Sequence, residues 1–249
     1  MNIIGIIPAR YQSSRFPGKP LAKIGNKTMI QMVYEQASKA KKLCKIVVAT
    51  DDARIAETVN QFNGEVILTR KDHLNGTSRC FEVFEQYDSE NPDFYTGIVN
   101  IQGDEPFINP SQIDQLCDLL TSKGAPIATL AKEINSSQDL FDPNTVKLVF
   151  NNDKEVLYFS RNPLPYARNI EQSKWLENHQ YYKHIGIYGF NSTTFNEINK
   201  LKLSPLEAME SLEQLRWLEN GNKIIVDITD IESFGIDTPE DLEKLINNI

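Results

Sequence analysis

Cysteine is scarce in this 249-residue chain, which carries three, Cys44, Cys80 and Cys117. They are odd in number, widely spaced and each set in an apolar-periodic segment, so neither a disulfide framework nor a zinc site is expected and all three read as buried structural thiols. Long hydrophobic runs are missing too. No stretch approaches the roughly 20 apolar residues that a membrane span requires, and no membrane partner is expected. The opening MNIIGIIPAR has neither the basic start nor the small-residue cleavage site of a secretory signal, which points to the cytosol. Positive charge is in short supply: at a formal net charge of −8 the surface as a whole repels phosphate backbones, and without a strong basic stripe a nucleic-acid partner is excluded. Repeats, linkers and low-complexity tracts are absent.

What is present suits one substantial α/β domain: 40% hydrophobic residues, with only 12 glycines and 12 prolines. Short β-branched runs at 3–7, 45–49, 65–68, 97–101 and 127–131 predict strands. Amphipathic segments alternate with them, such as the one from Met29 with Ile30, Val33, Tyr34 and Ala37 on one face. The runs IIGII and KIVVAT are continuously apolar, which argues for strands buried on both faces and a mostly parallel, open twisted sheet. Ligands collect at the carboxyl ends of such strands. Beyond about residue 132 the rhythm changes, with strands at 146–150, 156–159 and 185–190, a polar irregular stretch at 162–180 and a helical pattern over 206–219. A smaller lobe at about 132–222, with an antiparallel element, is expected before a last strand at 223–227 and a helix opened by Thr238 and Pro239.

Directly after the first strand, Ile7-Pro-Ala-Arg-Tyr-Gln-Ser-Ser-Arg-Phe-Pro-Gly-Lys-Pro20 gathers two arginines, a lysine, serines and a glycine. Guanidinium forks hold phosphate oxygens bidentately, lysine supplies a point charge, and Gly18 lets backbone approach closely. The spacing is neither that of a P-loop nor that of a dinucleotide fingerprint. A second strand ends in Gln102, Gly103, Asp104 and Glu105; a carboxylate there, beside a basic loop, is where Mg²⁺ sits between protein and phosphate oxygens, although Asp104 is equally suited to capping a turn. Asp237 also follows a strand, and read alone it is an N-terminal helix residue.

These segments carry a resemblance. IIPARYQSSRFPGKPL, VATDD at 48–52, NGTSR at 75–79, VNIQGDEP at 99–106, LYFSR at 157–161, KHIGIYGF at 183–190, SPLEAMESLEQLRWLENG at 204–221 and IDTPEDLE at 236–243 resemble the successive motifs of the 3-deoxy-manno-octulosonate (Kdo) cytidylyltransferases, in order over nearly the whole chain. The resemblance implies a Rossmann-like sheet of the nucleotide-diphospho-sugar transferase type and transfer of CMP from CTP to Kdo. It implies Mg²⁺ held by Asp104 and Asp237, and a homodimer formed through the smaller lobe. Arg10, Ser13, Arg15 and Lys19 become contacts of CTP, with Pro8 and Ala9 lining the base pocket and Arg79 and Gln102 at the junction of nucleotide and sugar. Arg161, His184, Tyr188, Glu213 and Gln214 fall on positions around the sugar acid, where Arg161 and a cationic His184 suit its carboxylate. Arg10, Arg15, Lys19, Asp104 and Asp237 become the catalytic set.

One position departs from the pattern, Ser78, where the family usually carries an acidic residue between Thr and Arg; altered affinity rather than lost activity is expected. Rival readings are the same reaction on 8-amino-Kdo or another ulosonic acid, a glycosyltransferase, and a silent sugar-nucleotide binding protein. The retained Asp104, Asp237, Arg15 and Lys19 argue against the last.

Overall fold

Strand β1 (Ile3–Ala9) is the middle of a parallel sheet in the first of two units. The computed structural model describes residues 1–13 and 15–246; the first unit comprises Met1–Cys117 with the stretch from Ser233, and the second Asp118–Glu232. After β1 come β2 (Lys23–Ile24), β3 (Lys27–Thr28), α1 (Met29–Ala37), β4 (Lys45–Thr50), α2 (Ala53–Gln61), β5 (Val66–Leu68), α3 (Gly76–Glu90), β6 (Gly97–Asn100) and the start of α4 (Pro110–Ser122). The order β6-β1-β4-β5 is parallel throughout, with Ile3 opposite Gly97 and Ile4 opposite Lys45. Ile3, Ile4, Ile6 and Ile7 are at most 1% exposed although successive side chains point to opposite faces, so both faces are covered, as the unbroken apolar run demands. Each such side chain contributes about 1.5–3 kcal/mol of burial free energy. The carboxyl ends of β1, β4, β5 and β6 therefore share one edge.

The second unit contains β7 (Ile127–Glu133), α5 (Ser137–Phe141), β8 (Lys147–Phe150), β9 (Val156–Ser160), α6 (Trp175–Asn178), β10 (Tyr182–Asn191), α7 (Ser192–Ile198), α8 (Pro205–Glu210), α9 (Gln214–Glu219) and β11 (Ile224–Ile228). β11 runs parallel to β7, whereas β10 is antiparallel to both β7 and β8, and β8 to β9, which is the expected antiparallel element. Trp175 and Tyr181 pack with Ile134 and Leu140, so the polar 162–180 stretch, which has one short α-helix and a 3₁₀ turn, is held by a small core of its own. The chain ends, back in the first unit, with α10 (Pro239–Ile246), opened at Pro239 as expected.

Three features differ from the sequence reading. The 206–219 pattern is broken into α8 and α9 at Ser211, whose φ of 52° and ψ of 48° are left-handed; no glycine or proline marks the break. Helix α3 is not signalled by hydrophobic period because Thr77 and Arg79 stand on its buried face beside Cys80, Val83 and Phe84. Cys44 is exposed, its thiol directed to the Ile3 carbonyl, while Cys80 and Cys117 are buried as expected.

Ser78 occupies the third residue of α3, and the Asn75 side chain caps the helix by accepting the Ser78 N–H at 2.8 Å. An acidic side chain at that position reaches back to the N-cap amide and completes a capping box, while also opposing the positive end of the helix dipole. Ser78→Glu is expected to raise stability by about 0.5–1 kcal/mol, read as a higher urea midpoint at unchanged slope. An unaltered or lower midpoint would show that the capping geometry is not limiting.

Candidate active site

From Ala9 the chain enters a loop closed at its base by the Gly18 N–H, which donates to the Tyr11 carbonyl at 2.8 Å. Gly18 has a φ of +75°, and a Cβ there would stand 3.2 Å from the Tyr11 ring, so glycine is required by both conformation and space. Near the far end, Phe16 packs on the cluster of Ile24, Met29 and Ile236, with Leu242 and Leu245 beside it. Two apolar pins thus hold a loop whose other side chains are polar. The result is a cleft of about 370 Å³ lined by the predicted Pro8, Ala9, Arg10, Ser13, Arg15, Lys19, Gln102 and Asp104. Gln12, Pro20, Gly76 and Gly103 also line it and are not foreseen from sequence, although glycines in NGTSR and QGDEP are a legible hint of close approach. A Cβ on Gly103 would lie 2.6 Å from the Pro8 carbonyl oxygen, so the ends of β1 and β6 meet backbone to backbone.

Asp104 lines this cleft and Asp237, far away in sequence, does not, yet both carboxylates converge on Lys19. The Lys19 ammonium lies 2.7 Å from Asp104 Oδ2, 3.6 Å from Asp237 Oδ1 and 2.8 Å from the Ile236 carbonyl. Arg15 Nη2 adds a bond to Asp237 Oδ1 at 3.1 Å, and the Ile236 N–H donates to the Asp104 carbonyl at 2.9 Å, which fixes the two segments side by side. Among the described residues no group of three or more His, Cys, Asp or Glu can hold a metal alone. Two carboxylates that share one cation suit Mg²⁺, whose remaining ligands are ordinarily phosphate oxygens and water. Next in chain, Glu105 is buried and accepts from the Ser233 hydroxyl; burial pushes its carboxyl up to about 7, with the Asp104 charge adding to the shift.

A second cationic group backs the loop. Arg79, on the first turn of α3, is fully buried, donates to the Thr69 hydroxyl and lies 3.3 Å from Asp51 Oδ2. Arg10 donates to the Leu74 carbonyl at 3.3 Å, and burial followed by repulsion from Arg79 disfavours its charge, offset in part by Asp51. Among the described residues, buried Arg10 Nη2 and Arg79 Nε have no hydrogen-bond acceptor, and Arg79 Nη2 has the Asp51 ion pair alone. Two guanidiniums facing one carboxylate, with donors unused, form a site short of negative charge, and an unmet buried donor costs about 1–3 kcal/mol. The N-terminus of α3, reached through Gly76 in the cleft wall, adds positive potential of the same sign.

The remaining predicted residues lie in the second unit. Arg161 donates from Nε to the Glu210 carbonyl at 2.7 Å, from Nη1 to Pro143 at 2.9 Å and from Nη2 to Ser211 at 3.4 Å, so backbone carbonyls fix the plane of its guanidinium. Two bulged residues separate Ile185 from Tyr188 in β10, and the Thr129 hydroxyl fills the gap, 2.9 Å from both the Ile187 carbonyl and His184 Nε2. Thr129 has one proton, which goes to the carbonyl; His184 therefore donates from Nε2 and keeps Nδ1 as an acceptor. Desolvation pushes His184 down to about 3, so the cationic imidazole expected from sequence is a neutral one. The Tyr188 ring packs 5.2 Å from His184 and 5.0 Å from Trp217, and its buried hydroxyl has no hydrogen-bond partner among the described residues. Glu213 precedes α9 and Gln214, buried, begins it, so the pair flanks the start of a helix instead of riding on the middle of one.

The chain was compared with known proteins. The sequence pattern of the cytidylyltransferase family matches residues 4–224. A 3-deoxy-manno-octulosonate cytidylyltransferase of Parabacteroides distasonis is 50% identical over 250 residues, 99% of this chain and 97% of the relative. One of Cytophaga hutchinsonii is 48% identical over 98% of this chain and 96% of the relative. Among solved structures, a CMP:2-keto-3-deoxy-manno-octonic acid synthetase complexed with CTP superposes with a TM-score of 0.91 at 39% identity, covering 100% of this chain and 98% of that one. A cytidylyltransferase of Leptospira borgpetersenii, at 18% identity and a TM-score of 0.63 over 99% of this chain and 85% of that one, shares the fold.

The charge state of His184 is open to a direct check. Its folded value is about 3 and its unfolded value the ordinary 6.5, so between those pH values the unfolded chain binds the extra proton. Its contribution to stability is complete above pH 6.5 and is lost as pH falls towards 3. The His184 ring resonances, assigned by their loss in His184→Gln, are expected to stay in the neutral position down to about pH 4. A titration midpoint near 6.5 would restore the cation.

Proposed function

The chain belongs to the 3-deoxy-manno-octulosonate cytidylyltransferase family, and from that premise we propose that it transfers CMP from CTP to the anomeric hydroxyl of Kdo, releasing pyrophosphate. The observation that carries the reading is the cleft lined by Arg10, Arg15, Lys19 and Asp104, with Asp237 held at Lys19 and Arg15. The hydroxyl oxygen forms a bond to the α-phosphorus, the bond from that phosphorus to the bridging oxygen of the β-phosphate breaks, and the hydroxyl proton passes to solvent water. Arg10, Arg15 and Lys19 bind the triphosphate and stabilise the charge that grows on the leaving pyrophosphate, a role in which one lost contact costs about 10²–10³ in rate. Ser13, Pro8 and Ala9 complete the nucleotide side. No protein nucleophile is needed.

Asp104 and Asp237 would hold magnesium, which when bound would supply Lewis acidity that favours the ionised hydroxyl and would offset phosphate charge. Arg79 and Gln102 act where nucleotide and sugar join. On the sugar side, Arg161 keeps two of its five N–H donors uncommitted to carbonyls, which supports pairing with the sugar carboxylate. His184 accepts from a sugar hydroxyl at Nδ1, Tyr188 offers its unpaired hydroxyl, and Glu213 and Gln214 complete the hydrogen-bonding set. The product is Kdo in activated form, for lipopolysaccharide assembly. No helix among the described residues is long and apolar enough to cross a membrane. A homodimer is supported by apolar side chains exposed on the second unit, among them Leu157, Leu203 and Met209.

Incubation with CTP, Mg²⁺ and either Kdo or 8-amino-Kdo is expected to release pyrophosphate with Kdo preferred; release with neither acceptor ends the proposal. Asp104→Asn is expected to lower kcat by on the order of 10²–10³ in a folded protein, and full activity of that variant in EDTA-treated buffer would remove the metal assignment. Arg161→Ala is expected to raise KM for the sugar by more than KM for CTP. Equal changes in both would take Arg161 out of the sugar site.

A further inference from the structure

Beside the basic loop lies a set of contacts that the reaction does not use. Arg54, on the first turn of α2, places its guanidinium carbon 3.3 Å from the centre of the Tyr11 ring. Asp52, the N-cap of α2, accepts from Arg54 Nε at 2.9 Å and Nη2 at 2.6 Å while also accepting the Arg54 N–H at 3.0 Å. One carboxylate therefore starts the helix and fixes the plane of the guanidinium. Tyr11 passes the constraint on: its carbonyl accepts the Gly18 N–H at 2.8 Å, and its ring fills the space against Gly18 that a Cβ would need.

Tyr11 and Arg54 do not line the cleft that holds Arg10 and Lys19. They line a neighbouring hollow of about 320 Å³. Any effect they have on a triphosphate is thus exerted through the loop, whose base they hold while Phe16 holds its far end. A flexible loop that must order around an anion loses backbone freedom at about 1–2 kcal/mol per residue fixed, and a loop already held in shape avoids part of that loss. Arginine suits the position because it alone can present a flat face to a ring and two parallel N–H groups to a carboxylate at once.

We propose that Arg54 and Tyr11 form a clamp, anchored on Asp52, that pre-shapes the loop for the CTP triphosphate, so that both are positioning residues for the nucleotide and not for the sugar. The proposal rests on the CTP-dependent reading of the cleft. Arg54 is mostly exposed and its removal leaves no cavity, so the test variants are expected to fold.

Arg54→Ala is expected to raise KM for CTP about three- to tenfold, with kcat within about twofold and KM for Kdo unchanged. Tyr11→Leu is expected to match it, Tyr11→Phe to behave as the parent, and Arg54→Lys to recover part of the loss because the charge but not the flat face is retained. The double variant Tyr11→Leu/Arg54→Ala should be no worse than either single one, since both break the same contact. Losses that add, as they would if Arg54 touched the phosphates itself, overturn the clamp. So do equal rises in both KM values, or an unaltered KM with a uniformly smaller fraction of active protein. CTP affinity measured by calorimetry on the same variants separates the two readings. A parent that binds CTP but makes no pyrophosphate with Kdo sinks the transfer reaction, whereas a parent that turns over normally beside an unaffected Arg54→Ala sinks only the clamp.

Discussion

A single ammonium group holds the centre of this site together. Asp104 follows β6 and Asp237 precedes α10, and two carboxylates brought this close repel each other unless positive charge lies between them. The Lys19 ammonium supplies it, and the hydrogen bond from Ile236 to the Asp104 carbonyl keeps the two chain segments in step. Lys19 is in turn set by Gly18, Tyr11 and Phe16, which hold their parts of the loop through backbone conformation and ring packing. Geometry comes from packing, and charge is then mounted on it.

The chain as a whole is acidic, with a net charge of −8, yet the cleft gathers cations. Burial makes the difference. Arg10 and Arg79 share Asp51 as a counter-charge and keep donors unmet inside the protein, where the field they produce is little screened by water. Arg10 lines the cleft while Arg79 is fully buried behind it, so positive potential is concentrated on that side of the chain. In the second unit polarity is handled in the opposite way: carbonyls fix Arg161, and His184 is kept neutral by its surroundings. A neutral ring offers one directional donor and one directional acceptor without long-range charge.

The parallel sheet was legible because IIGII and KIVVAT are apolar at every position, a pattern that only two-sided burial explains. The basic loop and Asp104 were legible from residue type and from their places at strand ends. Asp237 was reached only through resemblance, since nothing in its own neighbourhood tells of a partner so far along the chain. Helix α3 escaped because its buried face carries Arg79, and the split between α8 and α9 escaped because Ser211 adopts a conformation that its residue type does not announce. The charge of His184 was misjudged for a related reason: protonation follows the surroundings of a side chain, and those surroundings are assembled from β7, β9 and β10 only after folding. The loop pins Tyr11 and Phe16 were invisible for the same cause, being tertiary contacts made by residues that look incidental in a polar segment.

Where Gly103 meets the Pro8 carbonyl, the floor of the cleft is made of main chain. Main chain is the same whatever residue is encoded, so this floor cannot be re-tailored by ordinary mutation, and any bulkier residue at 103 must first push two strands apart. Any change in what this cleft accepts therefore falls to its walls, where side chains and not main chain form the surface. A lineage built on this scaffold can change what it recognises far more readily than where it binds.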